Sequence, residues 1–251
     1  MKFLVTFAVD WELRPWRRLR SFRQAPNDGR VFHAEIAGNG VMAVLTGVGA
    51  QNAVRTLRAC LDAPPDLCVV SGLAGGLKRQ HRSGDILAAR TVRRQPAAES
   101  LTSDERLFNL AIECGAKAAE CFISAAGVVR TSKQKSELGA FADAVDMESF
   151  AVMEEMGRFG VPCVAIRSIS DEVEIDLMCD FDQALDASGR VRITQVLGQM
   201  ARTPKELWPL VKFGVVSSRA AGALTHYLDT YVSFLGEHWE TRDLRVQQVI
   251  Q

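Results

Sequence analysis

The sequence predicts a single α/β domain built on a mixed, mainly parallel twisted sheet flanked by helices. Three observations carry this. Apolar runs of strand length recur along the chain: residues 3–9 (FLVTFAV), 66–71 (DLCVVS) and 161–169 (VPCVAIRSI). Segments with helical apolar spacing lie between them. One antiparallel element is added by Gly38-Asn39-Gly40, a tight-turn signal between the strands expected at 30–36 and 41–46.

The elements follow in order. After the first strand, Asp10-Trp11-Glu12 leads into a helix expected over 13–22, whose run RPWRRLRSFR reads as a solvated basic face. Gly47-Val48-Gly49 opens a helix over 50–61, and a glycine turn at a helix start suits an anion or a sugar hydroxyl. The strand at 66–71 ends in Gly72-Leu73-Ala74-Gly75-Gly76, where backbone can approach a ligand closely or simply turn tightly. A strand at 84–92, a helix at 104–115, a strand at 121–129 and a polar helix at 132–141 come next. His81 and Arg82, in KRQHRSG, read as a solvated loop. Helices are expected at 191–201, 205–213 and 218–235, with Pro204 separating the first two. Residues 1–240 form the domain and 241–251 a polar tail that frays.

Composition bounds the function. The chain has 251 residues, 47% hydrophobic and 24% charged, with 30 Lys+Arg against 30 Asp+Glu. That balance does not draw it to nucleic acid or to a membrane surface. The apolar runs are too short for a transmembrane helix, and the early Asp10 and Glu12 mark a first strand, not a signal peptide. The cysteines (60, 68, 114, 121, 163 and 179) have no metal-ligand spacing and read as reduced core thiols of a cytoplasmic protein. His33, His226 and His238 suggest neither ligation nor a relay. Trp208, Phe213, Tyr227 and Tyr231 read as core or interface.

The most informative stretch is 144–174, AVDMESFAVMEEMGRFGVPCVAIRSISDEVE. Phe150, Ala151, Met153, Met156 and Phe159 give a helical apolar face, stopped by Gly160 and Pro162. Glu148 lies where a short apolar segment meets that helix, and Ser170-Asp171 lies where the next strand runs out. Arg167 stands inside an apolar strand and needs a partner. Ligands of open α/β sheets bind beyond the carboxyl ends of strands, which places Glu148 and Asp171 in one cleft. Each also has a plainer reading: Asp171 as a helix cap, and Glu148 and Glu12 as first-turn acids.

The VDMES and IRSISD motifs, with residues 1–13, 46–50 and 66–85 (DLCVVSGLAGGLKRQHRSGD), resemble the nucleoside phosphorylase family. The branch they resemble is methylthioadenosine/S-adenosylhomocysteine nucleosidase. The resemblance runs to about residue 175 and implies a three-layer sandwich, often dimeric, with no metal and no organic cofactor. It implies hydrolysis of the N-glycosidic bond of a purine (adenine) nucleoside such as methylthioadenosine or S-adenosylhomocysteine. Asp171 would protonate the leaving purine, with Ser170 orienting it. Glu148 would bind ribose hydroxyls, with Met147 against the sugar. Glu12, with Arg167 nearby, would activate water. Asp146, Gly75, Ala74, Leu73 and Val129 complete the substrate positions. The chemistry agrees: an oxocarbenium-like sugar is stabilised by a carboxylate, and burial raises a carboxyl toward proton delivery near neutral pH.

This chain departs from the branch at Leu73, where Ser is frequent, and at Asp146, where Glu is frequent. It also carries Val128, Val129 and Arg130 where a purine-stacking aromatic is expected. Residues 201–235 resemble a branch that removes adenine from a lipid-linked (hopanoid) nucleoside. Two further readings are a phosphorylase, for which Arg14, Arg82 or Arg130 would have to hold phosphate, and a non-catalytic nucleoside-binding or interaction domain. The retention of Glu12, Glu148, Arg167 and Asp171 together speaks against the last. The expected partner is a small purine nucleoside, and the expected assembly a homodimer without membrane insertion.

Overall fold

The first strand, β1 (Lys2–Phe7), shows how the core is divided. Its side chains alternate with the pleat, so Phe3, Val5 and Phe7 enter one apolar cluster while Leu4 enters another. The same alternation divides β5 (Leu67–Val70) and β11 (Cys163–Asp171). On the first face lie α1 (Asp10–Arg20), α3 (Glu105–Glu113) and α6 (Leu207–Val249). On the other lie α2 (Ala50–Cys60) and α5 (Ser149–Gly157). The computed structural model describes residues 1–97, 99–177 and 207–249, with side chains of the last helix over 217–239.

The remaining strands are β2 (Arg23–Ala25), β3 (Asp28–Ile36), β4 (Asn39–Leu45), β6 (Leu73–Gly76), β7 (Ile86–Arg94), β8 (Ser100–Thr102), β9 (Lys117–Ser124) and β10 (Ala144–Asp146). A short helix, α4 (Ser132–Gly139), precedes β10. The 11-stranded sheet runs β2-β3-β4-β1-β5-β11-β6-β10-β9-β7-β8. It is mixed, as expected: β1, β4, β5 and β11 are parallel neighbours, and β3–β4 is the expected hairpin. The sandwich holds only for the first half. Antiparallel pairing of β7 with β11 closes β11, β6, β10, β9 and β7 into a barrel. Closure leaves the short β8, paired with β7, as the edge on that side.

Several expectations change. The glycine run after β5 is itself a strand, β6, wedged between β11 and β10. The fit there is close, because a Cβ at Gly76 would lie 3.2 Å from Ile169 and 3.3 Å from the Asp171 carbonyl oxygen. Phe159 lies beyond α5 and is 58% exposed, so it does not belong to that helix's buried face. From Leu207 on, the helices expected at 205–213 and 218–235 are parts of one helix, α6, and residues 205 and 206 lie outside the described residues. It docks through Tyr227 and Tyr231, whose hydroxyls donate to the carbonyls of Ala111 and Leu107, each at 2.8 Å. Asp229 accepts from the Trp16 indole N–H on α1 at 3.1 Å. The expected helix at 191–201, Pro204, Cys179 and the side chains of Trp208 and Phe213 lie outside the described residues. Cys60, Cys68, Cys114, Cys121 and Cys163 are free thiols.

Candidate active site

The carboxyl ends of β1 and β11, together with β6 and β10, surround a cavity of about 460 Å³. Glu12, Leu73, Ala74, Gly75, Val129, Asp146, Met147, Glu148, Ser170 and Asp171 all line it. Every residue expected at the site is therefore on its wall except Arg167, which lies behind it. Trp11, Val128, Leu177, Ser217 and Ser218 add to the wall, and Trp11 is 38% exposed there.

Arg167 is fully buried and organises the acidic side of the cavity. Its Nη2 lies 3.0 Å from Asp146 Oδ2 and 3.7 Å from Glu148 Oε2. Its Nη1 donates to the Ser71 carbonyl at 3.0 Å. Nε and Nη2 donate to Ser149 Oγ at 3.2 and 2.9 Å, and that hydroxyl in turn donates to Asp146. Asp146 also accepts from Ser124 Oγ at 2.6 Å and from the amides of Glu148 and Ser149 at 3.2 Å each. It is thus spent on holding Arg167 and the start of α5.

Glu12 occupies the first turn of α1. Its carboxylate accepts from the amides of Ala8 (2.9 Å), Val9 (3.3 Å) and Leu73 (3.0 Å). The capping role and the site role therefore coexist in one side chain. Burial raises its pKa above the usual carboxylate value, opposed by Arg167 and those three amides. Between Glu12 and Arg167 sits Gly72, at φ +140; a Cβ there would lie 2.3 Å from Arg167 Nη1 and 3.4 Å from both Glu12 carboxylate oxygens. Glu148 accepts from the Gly49 amide at 2.7 Å, which gives the Gly47-Val48-Gly49 turn its function. Burial pushes Glu148 up to about 7; Arg167 opposes this, and the charges of Asp146 and Glu12 reinforce it.

Asp171 lies in the last position of β11, opposite Gly75. The register between β11 and β6 slips between Ile169 and Asp171, a bulge that inserts Ser170 and re-aims the following side chain. No helix begins in residues 172–177, so Asp171 does not act there as a cap. Ser170 Oγ lies 2.5 Å from Asp171 Oδ1 and 3.2 Å from the Ala74 carbonyl. Asp171 Oδ2 is held by Lys135 Nζ. Lys135 stands on α4, read from sequence as a polar helix, and no pattern in that helix marks it as buried.

His81 is likewise buried, contrary to the solvated-loop expectation. Its Nε2 lies 3.1 Å from Asp143 Oδ1, which also accepts from Lys78 at 2.7 Å. Burial alone would raise Asp143, but His81, Lys78 and the Cys121 amide outweigh it and hold the carboxyl well below its ordinary range. Arg82 is exposed and pairs with Glu172. Among the described residues no three His, Cys, Asp or Glu side chains are arranged to hold a metal ion. Nor is any helix there long and apolar enough to cross a membrane.

Known proteins share this architecture. A 5′-methylthioadenosine/S-adenosylhomocysteine nucleosidase of Actinobacillus succinogenes is 26% identical over 198 residues, 68% of this chain and 85% of the relative. One from Shewanella halifaxensis is 29% identical over 183 residues, covering 62% of this chain and 78% of the relative. The solved futalosine hydrolase of Helicobacter pylori superimposes with a TM-score of 0.70 at 20% identity, covering 92% of this chain and 97% of that one. The Campylobacter jejuni methylthioadenosine/S-adenosylhomocysteine nucleosidase gives 0.68 at 17% identity, covering 93% and 99%. The profile of the phosphorylase superfamily matches residues 2–197. With the motif-bearing strand ends gathered on one cavity and that match spanning most of its length, the chain belongs to the phosphorylase superfamily.

Proposed function

We propose that this protein hydrolyses the N-glycosidic bond of an adenine nucleoside carrying an apolar group on its 5′ carbon, such as methylthioadenosine. The observation that carries this reading is the meeting of Asp171, Glu148 and Glu12 on one cavity wall. Asp171, oriented by Ser170, carries a proton taken up from solvent as the nucleoside binds and delivers it to a ring nitrogen of the departing base. Glu148 accepts from the ribose hydroxyls and faces the positive charge that develops on the sugar, with Met147 beside it. Glu12 takes a proton from water as the water oxygen bonds to the anomeric carbon; its raised pKa makes it the stronger base. Arg167 does not reach the cavity and works by holding Asp146 and balancing Glu12 and Glu148.

Water is favoured over phosphate because no Lys or Arg is among the described lining residues. Arg14 pairs with Asp10 and Arg82 with Glu172, and neither lines the cavity, nor does Arg130. The names of the relatives support a nucleosidase, and the apolar wall of Val9, Trp11, Leu73, Val128, Val129 and Leu177 supports an apolar 5′ group. The resemblance extends the reading to a homodimer, and the free thiols agree with a cytoplasmic setting. The test is release of the free base from a panel of nucleosides, futalosine included, with and without phosphate. Adenine and free sugar without phosphate are expected. Turnover that requires phosphate and yields a sugar 1-phosphate would replace hydrolysis by phosphorolysis.

A further inference from the structure

Lys135 is a lysine with 0% exposure in the second turn of α4. A buried ammonium is costly unless all its hydrogens find acceptors. Here three acceptors surround Nζ: Asp171 Oδ2, the Glu172 carbonyl at 3.1 Å and the Ile175 carbonyl at 2.7 Å. Three acceptors match the three hydrogens of an ammonium, where a neutral amine would supply only two. One cation thus grips the Asp171 carboxylate and the backbone that follows it.

The grip is reinforced on both sides. The Ser132 amide donates to Asp176 Oδ1 at 2.5 Å, and the Leu177 amide donates to the Arg130 carbonyl at 2.8 Å. Leu177 lines the cavity, while Lys135 does not. Ser170 holds the other carboxylate oxygen of Asp171, so the two contacts together stop rotation of the group. Gly75 leaves room beside it: a Cβ at Gly75 would stand 3.3 Å from Oδ2.

We propose that Lys135 is a positioning residue for catalysis: its ammonium fixes the Asp171 carboxyl and seats the adjacent cavity wall, residues 172–177, as one unit. The inference rests on the role given above to Asp171. It predicts that Lys135 acts through Asp171 on turnover and not on general affinity. Misplacing a reacting group by about an ångström costs on the order of 10²-fold.

The experiment compares wild type, Lys135→Met, Asp171→Asn and the double variant. Each is assayed for adenine release from methylthioadenosine and for urea unfolding. Lys135→Met is expected to unfold cooperatively, to lose on the order of 10²-fold in kcat, and to change KM less than about threefold. In the double variant the losses are expected not to multiply, because a residue that works through Asp171 has nothing left to position once that carboxylate is gone. Native turnover in Lys135→Met, or losses that multiply, would overturn the proposal. If Lys135→Met does not fold, Lys135→Gln takes its place, since it keeps two N–H donors without charge. If wild type releases no base from any nucleoside, the hydrolase reading fails separately. The link between Lys135 and Asp171 is then judged by the unfolding cycle, where additive losses overturn it and coupled losses sustain it.

Discussion

Replacing Glu148 by glutamine tests the electrostatics of the cavity directly. The Glu148 carboxyl is raised from its ordinary 4.5 to about 7, chiefly by burial. A carboxyl whose folded pKa is raised binds its proton more tightly in the native state. Stability from this group is therefore fully present below pH 4.5 and is lost as pH climbs through 7. The span of the shift corresponds to an effect of order 3 kcal/mol, of which roughly 2–3 kcal/mol falls between pH 5 and 8. Glutamine keeps an acceptor for the Gly49 amide but cannot ionise. Urea unfolding of both proteins at pH 5 and pH 8 gives a double difference in which titrating groups that do not interact with Glu148 cancel, Asp143 among them. The variant is expected to gain on wild type by roughly 2–3 kcal/mol between the two pH values. In activity, wild-type kcat/KM should fall about tenfold per pH unit below 7, because on the proposed mechanism the ionised carboxylate receives the ribose; in the variant only the limb set by Glu12 should remain. A double difference near zero, or of opposite sign, would refute the placement of a buried, only partly compensated carboxyl at this point.

Three further outcomes are expected. Asp171→Asn should melt as a folded protein and bind a non-cleavable purine nucleoside, while adenine release falls roughly 10²–10⁴-fold; near-native turnover would remove Asp171 from the mechanism. Gly72→Ala should destabilise, because its Cβ would stand 2.3 Å from Arg167 Nη1. Displacing a buried paired guanidinium costs about 3–5 kcal/mol and backbone strain about 1–3 more, so an unchanged melting temperature would contradict the packing. A 5′-alkylthio adenosine should be preferred over adenosine in kcat/KM by roughly 1–3 kcal/mol, and equal turnover of adenosine would exclude an apolar 5′ subsite.

What could be read from sequence followed from local rules. The strand-length apolar run at 3–9, the Gly38-Asn39-Gly40 turn and the lone Arg167 in an apolar strand each announce their surroundings, and so the mixed sheet and the acidic cavity were legible. What stayed hidden depends on distant chain segments. Lys135 sits in SKQKSELG, a helix polar enough to look solvated, and is buried only because residues 171–175 fold over it. His81 is drawn inward by Asp143, 62 residues away. β6 was hidden because glycines signal turns, whereas here their lack of side chains lets a strand pass between two others. Closure of the barrel rests on one antiparallel pairing, β7 with β11, which leaves no local mark. In α6, nothing between Phe213 and Ser218 forces a break, and the helix runs straight through.

The position of β11 has a consequence for motion. Its first residues bond to β5, its last to β6, and its middle to β7 on the barrel side. It is the seam that belongs to both the open sheet and the barrel. Opening it locally would tear both halves, so its amides should exchange with deuterium only when the whole domain unfolds. Arg167 and the base of Asp171 are thereby anchored in the slowest-exchanging part of the molecule. Glu12 and Glu148 approach from a helix start and a loop, where smaller openings suffice. A ligand entering the cavity would meet a fixed Asp171 and more yielding Glu12 and Glu148, so adjustment to ligands of different shape falls to the latter two.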